Sequence, residues 1–217
     1  MRRPCAVLWF GIACAAASAG GPVIWRVDNP AAIGGHAVTE LLGAPRAVEG
    51  ALEFAGVADG LFVDVVPIAG WREFTVEVLF RPDDGGLEAQ RFVHLQDAGG
   101  ARLLFETRLD GRGRWWLDTF LWSPATPGRG RALIDANRTH PTGRWHWVAL
   151  RYDGRRMTSF VDGAQELEAE YAFGPLGAGR TSLGVRQNRV YWFKGGIREL
   201  RFHPRALAAG ELQRVRE

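Results

Sequence analysis

The feature that most constrains the fold of this chain is a series of short segments in which apolar and polar residues alternate. Residues 73–80 are the clearest case: they are rich in β-branched and aromatic side chains, and the turn-forming residues 81–86 end the segment. No helical period occurs before residues 206–215. Strands at this spacing, with no strand–helix alternation, predict an all-β antiparallel sandwich with a short C-terminal helix. Further strands are predicted at residues 92–96, 102–109, 114–122 and 145–152.

Two Asp-Gly pairs, Asp153-Gly154 and Asp162-Gly163, carry the dipeptide favoured in tight hairpin turns. They predict a strand at residues 157–161 between two hairpin turns. Because no linker, repeat or second domain interrupts the sequence, we expect one domain over residues 20–217.

The N-terminal residues have the composition of a cleavable secretory signal. Arg2 and Arg3 precede an apolar stretch too short to span a bilayer comfortably, and Ala17-Ser18-Ala19 supplies a small-x-small cleavage pattern. We therefore expect a signal peptide at residues 1–19 and a secreted or periplasmic protein with no membrane span. The sequence contains a single lysine, Lys194, as is typical of GC-rich bacterial genomes.

Cleavage there would change both the charge and the cysteine content of the chain. The sequence has 27 basic and 24 acidic side chains, so losing two arginines leaves 25 against 24 and a net charge of +1. A nearly balanced surface does not indicate a nucleic-acid partner, which needs a basic stripe. Cys5 and Cys14 are lost with the signal, so the mature chain would have no disulfide and would depend on its core.

Four blocks of the sequence occur in the order found in one known family. Residues 74–77, 143–154 and 160–163 read FTVE, GRWHWVALRYDG and FVDG, and residues 182–202 contain the run FKGGI followed by Glu199 and Arg201. Together they resemble laminin-G-like domains of the concanavalin A-like lectin/glucanase type. The resemblance implies a jelly roll of two stacked antiparallel sheets, one of them concave, with ligands on the concave sheet or at its rim. These blocks are mainly structural, so they imply no particular chemistry.

The middle of the chain holds the polar and aromatic side chains that could bind a ligand. Alternation places every second residue of a strand on one face. If the three strands at residues 92–96, 102–109 and 114–122 are neighbours, one face carries a mixture suited to sugar, with rings for stacking and polar groups for hydroxyls. Arg108 would also suit a carboxylate or sulfate. An ordinary polar face with cross-strand ion pairs is the alternative. The predicted ligand-binding residues are His94, Gln96, Glu106, Arg108, Trp116, Asp118 and Trp122, with Phe92 on the same face.

Two enzymatic alternatives remain open. Glu166, Glu168 and Glu170 alternate along one strand, but residues two apart are separated by ~6.5 Å of strand rise, and the carboxyls of retaining glycosidases lie ~5–5.5 Å apart. Residues 191–196, YWFKGG, partly resemble a strand of polysaccharide lyases of the alginate lyase type, for which Gln90, Arg91 and His94 would contact a uronate. The spacing of these residues departs from the lyase pattern. For an enzyme acting on an acidic polysaccharide, the candidate catalytic residues are His94, Glu106, Arg108 and Asp118.

The sequence gives little support for a metal. His140 and His146 lack a zinc-ligand spacing. Calcium fits better by ligand type, because laminin-G-like domains often hold one at the rim, although turn chemistry explains the turn acids Asp83, Asp84 and Asp97 equally well. The sequence thus predicts a carbohydrate-binding module with a polysaccharide or glycan partner, with no certain cofactor. The alternatives are a polysaccharide-degrading enzyme and a module that binds a protein partner through its edge loops.

Overall fold

The computed structural model describes residues 21–126, 128 and 130–215, so the predicted signal peptide lies outside the described residues. The regular secondary structure of the described part is all β-strand apart from one 3-10 turn. No helix within it is long and apolar enough to cross a membrane. The strands are β1 (Val23–Arg26), β2 (Ala32–Ile33), β3 (His36–Ala37), β4 (Glu40–Leu42), β5 (Arg46–Val48), β6 (Ala51–Ala55), β7 (Gly60–Val63), β8 (Phe74–Pro82), β9 (Ala89–Asp97), β10 (Arg102–Leu109), β11 (Arg114–Trp122), β12 (Arg131–Ile134), β13 (His140–Pro141), β14 (His146–Tyr152), β15 (Arg156–Val161), β16 (Ala164–Glu170), β17 (Gly179–Leu183) and β18 (Lys194–His203).

Two large antiparallel sheets form the sandwich, as the alternation predicts. Sheet I has the order β16-β15-β14-β8-β18-β6-β5, with β1 paired to β18. Sheet II has the order β12-β11-β10-β9-β17-β7-β4, with β13 paired to β11. Most neighbours in each sheet are distant in sequence, as expected when strands pass between two stacked sheets in a jelly roll. The predicted fold class is confirmed.

Aromatic side chains from both sheets meet at the centre of the sandwich. Phe80 of β8 in sheet I stacks on Phe92 of β9 in sheet II, with ring centroids 4.2 Å apart. Trp115 of β11 packs edge-on against Phe80 at 5.0 Å. All three side chains are buried in one continuous core. Burial of aromatic rings supplies a large share of the hydrophobic stabilisation that holds the two sheets together.

A β-bulge in β9 changes which side chains face the core. Val93 pairs with Phe105, but the next pair is Arg91 with Glu106, so Phe92 is an extra residue in the strand. The expectation that Phe92 shares a face with His94 and Gln96 is therefore wrong: Phe92 points into the core. The bulge also moves Arg91 to the opposite face of sheet II, away from the core, where it meets Glu106.

The predicted C-terminal helix is a single 3-10 turn, Ala209–Glu211. Ala208 and Leu212 on either side of it have extended backbone angles, so no helix propagates. The segment instead buries Leu207 and Leu212 against Ala149 and Phe160 on the outer face of sheet I. Tertiary burial of two leucines thus outweighs a helical propensity that is weak in so short a segment.

Candidate functional site

The strands that carry the predicted site residues are direct neighbours in the order β9-β10-β11. Glu106 of β10 lies opposite Asp118 of β11, and Arg108 lies opposite Trp116. Leu104 lies between His94 of β9 and Phe120 of β11. The structure therefore brings the predicted residues together on the face of sheet II that points away from the core. This face is named the outer face of sheet II below.

A network of four charged side chains occupies the centre of the outer face. Arg91 contacts Glu106 at 2.7 Å. Arg108 contacts Asp118 at 2.6 Å and Glu106 at 3.4 Å. Glu106 is 5% exposed and Asp118 is 3% exposed. Arg108, which the sequence suggested as a fork for an anionic ligand, is thus already engaged by two carboxylates.

Burial changes the acidity of Glu106. Its removal from water, followed by the negative charge of Asp118, raises the pKa of Glu106 from its ordinary value of 4.5 to about 7. The positive charges of Arg91 and Arg108 oppose this shift. Glu106 therefore changes its charge near neutral pH, which is unusual for a carboxyl group.

His94 lies beneath the loop that connects β17 to β18, residues 184–193. Its side chain is 1% exposed, and its Nδ1 accepts a hydrogen bond from the backbone N–H of Gln187 at 3.1 Å. Burial, together with the charges of Arg186 and Arg102, lowers the pKa of His94 to about 3. A buried neutral imidazole that holds a loop is poorly equipped to contact substrate, so its geometry favours a structural role over that of a general base.

A pocket of about 210 Å³ opens beside the charged network. Two of its arginines, Arg102 at the start of β10 and Arg186 in the loop over His94, have no ion-pair partner among the residues that the structure describes. Neither arginine was predicted as a ligand-binding residue from the sequence. Arg102 is separated from Leu104 and Glu106 by an even number of residues along β10, so strand alternation predicts that it points to the same face. Arg186 follows no periodic pattern and reaches the pocket only through the fold. The pocket is lined by Arg91, Arg102, Leu104, Glu106, Arg108, Asp118, Phe120, Ala132 and Arg186.

The two predicted tryptophans flank this pocket and are both partly buried. The Trp122 ring lies 4.6 Å from the guanidinium carbon of Arg102, and its Nε1 donates to the backbone carbonyl of Gly128 at 3.1 Å. Trp116 lines a second hollow of about 470 Å³ with Asp84, Glu88 and Asp110 among its other residues. Gln96, also partly buried, pairs with Arg102 across β9 and β10.

The acids considered for glycosidase chemistry are engaged elsewhere. Glu168 and Glu170 form ion pairs with Arg156 at the edge of sheet I, and Glu166 contacts His140 at 2.7 Å. His146 contacts Asp162 at 2.8 Å. These contacts satisfy the side chains without a ligand.

The residues considered for a lyase are not assembled as that chemistry requires. The Gln90 amide donates to the carbonyl of Leu87 and accepts from the N–H of Lys194, so it ties two segments together. The Tyr191 ring lies against the guanidinium of Arg91, with its centroid 3.8 Å from Cζ. His94 is occupied by Gln187.

The turn acids considered for calcium also have structural contacts. Asp97 accepts hydrogen bonds from the backbone N–H groups of Ala101 and Gly177, and Asp83 pairs with Arg81. Within the described residues no group of three or more His, Cys, Asp or Glu side chains is arranged to hold a metal ion.

Solved structures with a similar fold include proteins in complex with sugars. The receptor-binding domain of botulinum neurotoxin C/D mosaic serotype has a TM-score of 0.62 at 10% identity, covering 88% of this chain and 49% of that one. Domain 4 of AbnA, an extracellular arabinanase from Geobacillus stearothermophilus in complex with arabinotriose, has a TM-score of 0.55 at 18% identity, covering 89% and 86%. Trypanosoma rangeli sialidase in complex with sialic acid has a TM-score of 0.61 at 16% identity, covering 88% and 32%.

At these identities the likeness shows a shared fold. The chain spans about half of the neurotoxin domain and about a third of the sialidase. None of the curated proteins matches its sequence. The sequence does match a family model described as "Concanavalin A-like lectin/glucanases superfamily" over residues 56–213. Because this match covers well over half of the chain, the protein belongs to the concanavalin A-like lectin/glucanases superfamily.

Proposed function

We propose that the protein binds carbohydrate on the outer face of sheet II, across β9, β10 and β11. The observation that carries this proposal is the pocket of about 210 Å³ on that face, which is lined by charged side chains and flanked by two partly buried tryptophans. Concave sites with a few convergent polar groups and aromatic walls are the usual sites of small-ligand binding.

The chemistry of this face suits a sugar. Indole rings offer flat apolar surface to the C–H faces of a pyranose, and they also carry a polar N–H. Guanidinium groups donate to hydroxyl oxygens, while carboxylates accept from hydroxyl hydrogens. The arabinotriose complex of the Geobacillus domain and the sialic acid complex of the trypanosomal sialidase support the choice of a sugar as ligand.

The test is the affinity of the purified protein for a panel of oligosaccharides, measured by isothermal titration calorimetry for the wild type, Trp116→Ala and Trp122→Ala. We expect each variant to lose about tenfold in affinity, equal to about 1.4 kcal/mol. The matched control is Trp145→Ala, since Trp145 is another partly buried tryptophan, placed just before β14 of sheet I. Full affinity in both site variants, or a loss of affinity confined to Trp145→Ala, would show that the ligand does not bind to sheet II.

A second function, hydrolysis or elimination on a polysaccharide, is favoured by one observation: Glu106 has its pKa raised to about 7 and lies directly opposite Asp118. Glycosidases likewise use two carboxyl groups, one of which is a general acid with a raised pKa. A carboxyl that is half protonated at neutral pH is a suitable general acid.

The enzymatic candidate is tested by incubating neutral and uronate-bearing polysaccharides with the protein and measuring their size by chromatography. An enzyme shortens the polymer, and Glu106→Gln abolishes the shortening because the protons of a neutral amide are not acidic enough to be transferred. Polymer that is retarded or shifted but intact supports the binding module alone. If no polysaccharide is shortened or changes its elution, a protein partner would be favoured instead.

We also propose that the module acts outside the cytoplasm, in the periplasm or medium. The support is the order of charged, apolar and small residues in positions 1–19. Expression of the full chain in a bacterial host, followed by mass determination of the exported product, tests this. We expect a mature chain that begins at Gly20. A full-length product retained in the cytoplasm would contradict export.

A further inference from the structure

We infer that the pocket on the outer face of sheet II selects sugars that carry an anionic group, a carboxylate or a sulfate, and that Arg102 and Arg186 hold this group. The inference rests on the proposed carbohydrate binding and adds the class of ligand. It differs from the expectation drawn from sequence, in which Arg108 held the anion.

The first step is the balance of charge in the pocket. Four arginines and two acids line it. Arg91 contacts Glu106, and Arg108 contacts both acids. Arg102 and Arg186 are left with no carboxylate at ion-pair distance within the described part of the chain. The pocket therefore holds an excess of two positive charges when Glu106 is ionised and of three when it is protonated.

The second step is that these two positive charges are only partly hydrated, so water does not fully screen the repulsion between them. Burial, and next the charge of Arg186, lower the pKa of Arg102, which shows that the two guanidinium groups are near each other and partly desolvated. An arginine does not lose its proton in a protein, so such a pair stays doubly charged. An anion placed between the two groups removes the repulsion and gains charge-assisted hydrogen bonds from both.

The third step is that the Arg102 side chain and the backbone of Arg186 are held in place without a ligand. The Arg102 guanidinium lies over the rings of Trp122 and Phe120, with its carbon 4.6 and 5.4 Å from their centroids. The backbone beside Arg186 is fixed through Gln187, whose side-chain amide donates to the carbonyls of His94 and Arg180 at 3.3 and 2.8 Å. Ordering the Arg102 side chain therefore costs little entropy when an anion binds.

The fourth step distinguishes an acidic sugar from a bare anion. Besides its charged side chains, the pocket is lined by Phe120 and Ala132, which give it an apolar side. A bare anion gains nothing from apolar surface, whereas a sugar ring buries its C–H groups against it. A sugar that carries an anionic group therefore uses both this apolar side and the pair Arg102 and Arg186. The volume of about 210 Å³ is below that of pockets for drug-sized ligands, ~300–1,000 Å³, so one sugar unit enters.

The experiment measures affinity for three oligosaccharides of equal length: a neutral one, one with uronate units and one with sulfate esters. For the wild type we expect at least tenfold tighter binding of an acidic oligosaccharide than of the neutral one. The relative affinity for the uronate and the sulfate oligosaccharide shows which anion the pocket prefers. Arg102→Gln and Arg186→Gln should each weaken binding of the acidic oligosaccharides about tenfold more than they weaken binding of the neutral one. The control, Arg155→Gln, removes the same charge at a highly exposed position of sheet I and should change nothing.

A second pair of variants covers the case in which an arginine variant does not fold. Ala132 is an exposed residue at the edge of the pocket, on β12. Ala132→Glu would supply the missing carboxylate and should abolish the preference for acidic ligands, whereas the neutral Ala132→Gln should keep it. Equal affinity for neutral and acidic ligands, or a preference that Ala132→Glu leaves intact, overturns the inference while carbohydrate binding stands. If none of the three oligosaccharides binds, both the selection of acidic sugars and the proposed carbohydrate binding are overturned.

Discussion

Glu106 is surrounded by charges from three strands. Arg91 of β9, Arg108 of its own strand and Asp118 of β11 face it, and Arg102 and Arg186 lie in the same pocket. Because burial and Asp118 raise the pKa of Glu106 to about 7, the folded protein holds this proton at pH values where the unfolded chain has released it. The stabilisation from the bound proton is complete below pH 4.5 and is lost as the pH rises through about 7.

We therefore expect the Glu106 contribution to the free energy of unfolding to fall between pH 4.5 and pH 7. Glu106→Gln, which cannot titrate, should lack this fall. Urea unfolding of both proteins at half-unit pH steps measures it, and the difference between them reports Glu106 together with its charged neighbour Asp118. A constant difference across that range would show that Glu106 titrates normally in the folded state.

His94 has the opposite effect on stability. Its pKa is lowered to about 3, so the unfolded chain binds a proton between pH 6.5 and pH 3 that the folded chain does not. The free energy of unfolding should fall as the pH decreases through this range. In His94→Gln, whose amide oxygen can accept the Gln187 N–H in place of Nδ1, the acid-induced loss should be smaller. The same urea titration tests this, and equal acid sensitivity in both proteins would contradict it.

Among the elements, the 184–193 loop contributes most to the site beyond the strands themselves. Arg189 and Tyr191 have positive φ angles of 60° and 61°, which are uncommon for residues with a side chain. Gly184 begins the loop with φ +78°, and a Cβ there would lie 2.2 Å from Cδ1 of the Phe54 ring. The path of the loop, and with it the position of Arg186, therefore depends on glycine at this point.

We expect Gly184→Ala to destabilise the protein by about 1–3 kcal/mol more than Gly50→Ala. Gly50 is the matched control because its φ is +76° and nothing lies within 4 Å of the position of its missing Cβ. Both variants carry the strain of a positive φ, so their difference reports the contacts of the added Cβ with the Phe54 ring and with the Asp59 carbonyl oxygen, 3.1 Å away. Denaturant unfolding of the two variants gives the value. Equal stability would mean that Phe54 moves aside without cost.

The strands were predictable because alternation is a local property. The predicted segments 102–109 and 114–122 coincide with β10 and β11, and the hairpin strand 157–161 lies within β15. The polar face of these strands was predictable for the same reason. Every second residue of a strand points to the same face, so alternation places Glu106 of β10 and Asp118 of β11 on one face of the sheet. Arg102 lies on that face and was accessible to the same reasoning.

The bulge and the loop were not predictable from alternation. One inserted residue in β9 reverses the facing of Phe92 and Arg91, and nothing in the local pattern marks it. Arg186 reaches the pocket because the 184–193 loop folds back over β9, a long-range contact that leaves no periodic signal. The anion-binding character of the pocket depends on these two features, so it became visible only in the structure.

At the scale of the whole molecule, the two outer faces of the sandwich differ. The C-terminal segment crosses the outer face of sheet I and is anchored there by buried polar groups. Thr75 Oγ1 accepts from the N–H of Leu207 at 2.9 Å, and Glu77 accepts from the N–H of Gln213 at 2.7 Å. Leu207 and Leu212 are buried in the same contact. This segment makes part of sheet I an interior surface, while the pocket lies on sheet II.

Because the C-terminal segment and the pocket lie on different sheets, a substitution in the segment should lower the stability of the protein without changing its affinity for sugar. Leu212→Ala leaves a cavity against Ala149 and Phe160 and should cost about 2–5 kcal/mol of unfolding free energy. Leu87→Ala is the control, since Leu87 is 45% exposed and its loss should cost little. At a temperature where the variant is folded, its affinity for sugar should equal that of the wild type, because this cluster and the described lining of the pocket share no residue and lie on different sheets. Denaturant unfolding and calorimetry on the same samples give both values, and a loss of affinity that parallels the loss of stability would show that the two faces are coupled through the core.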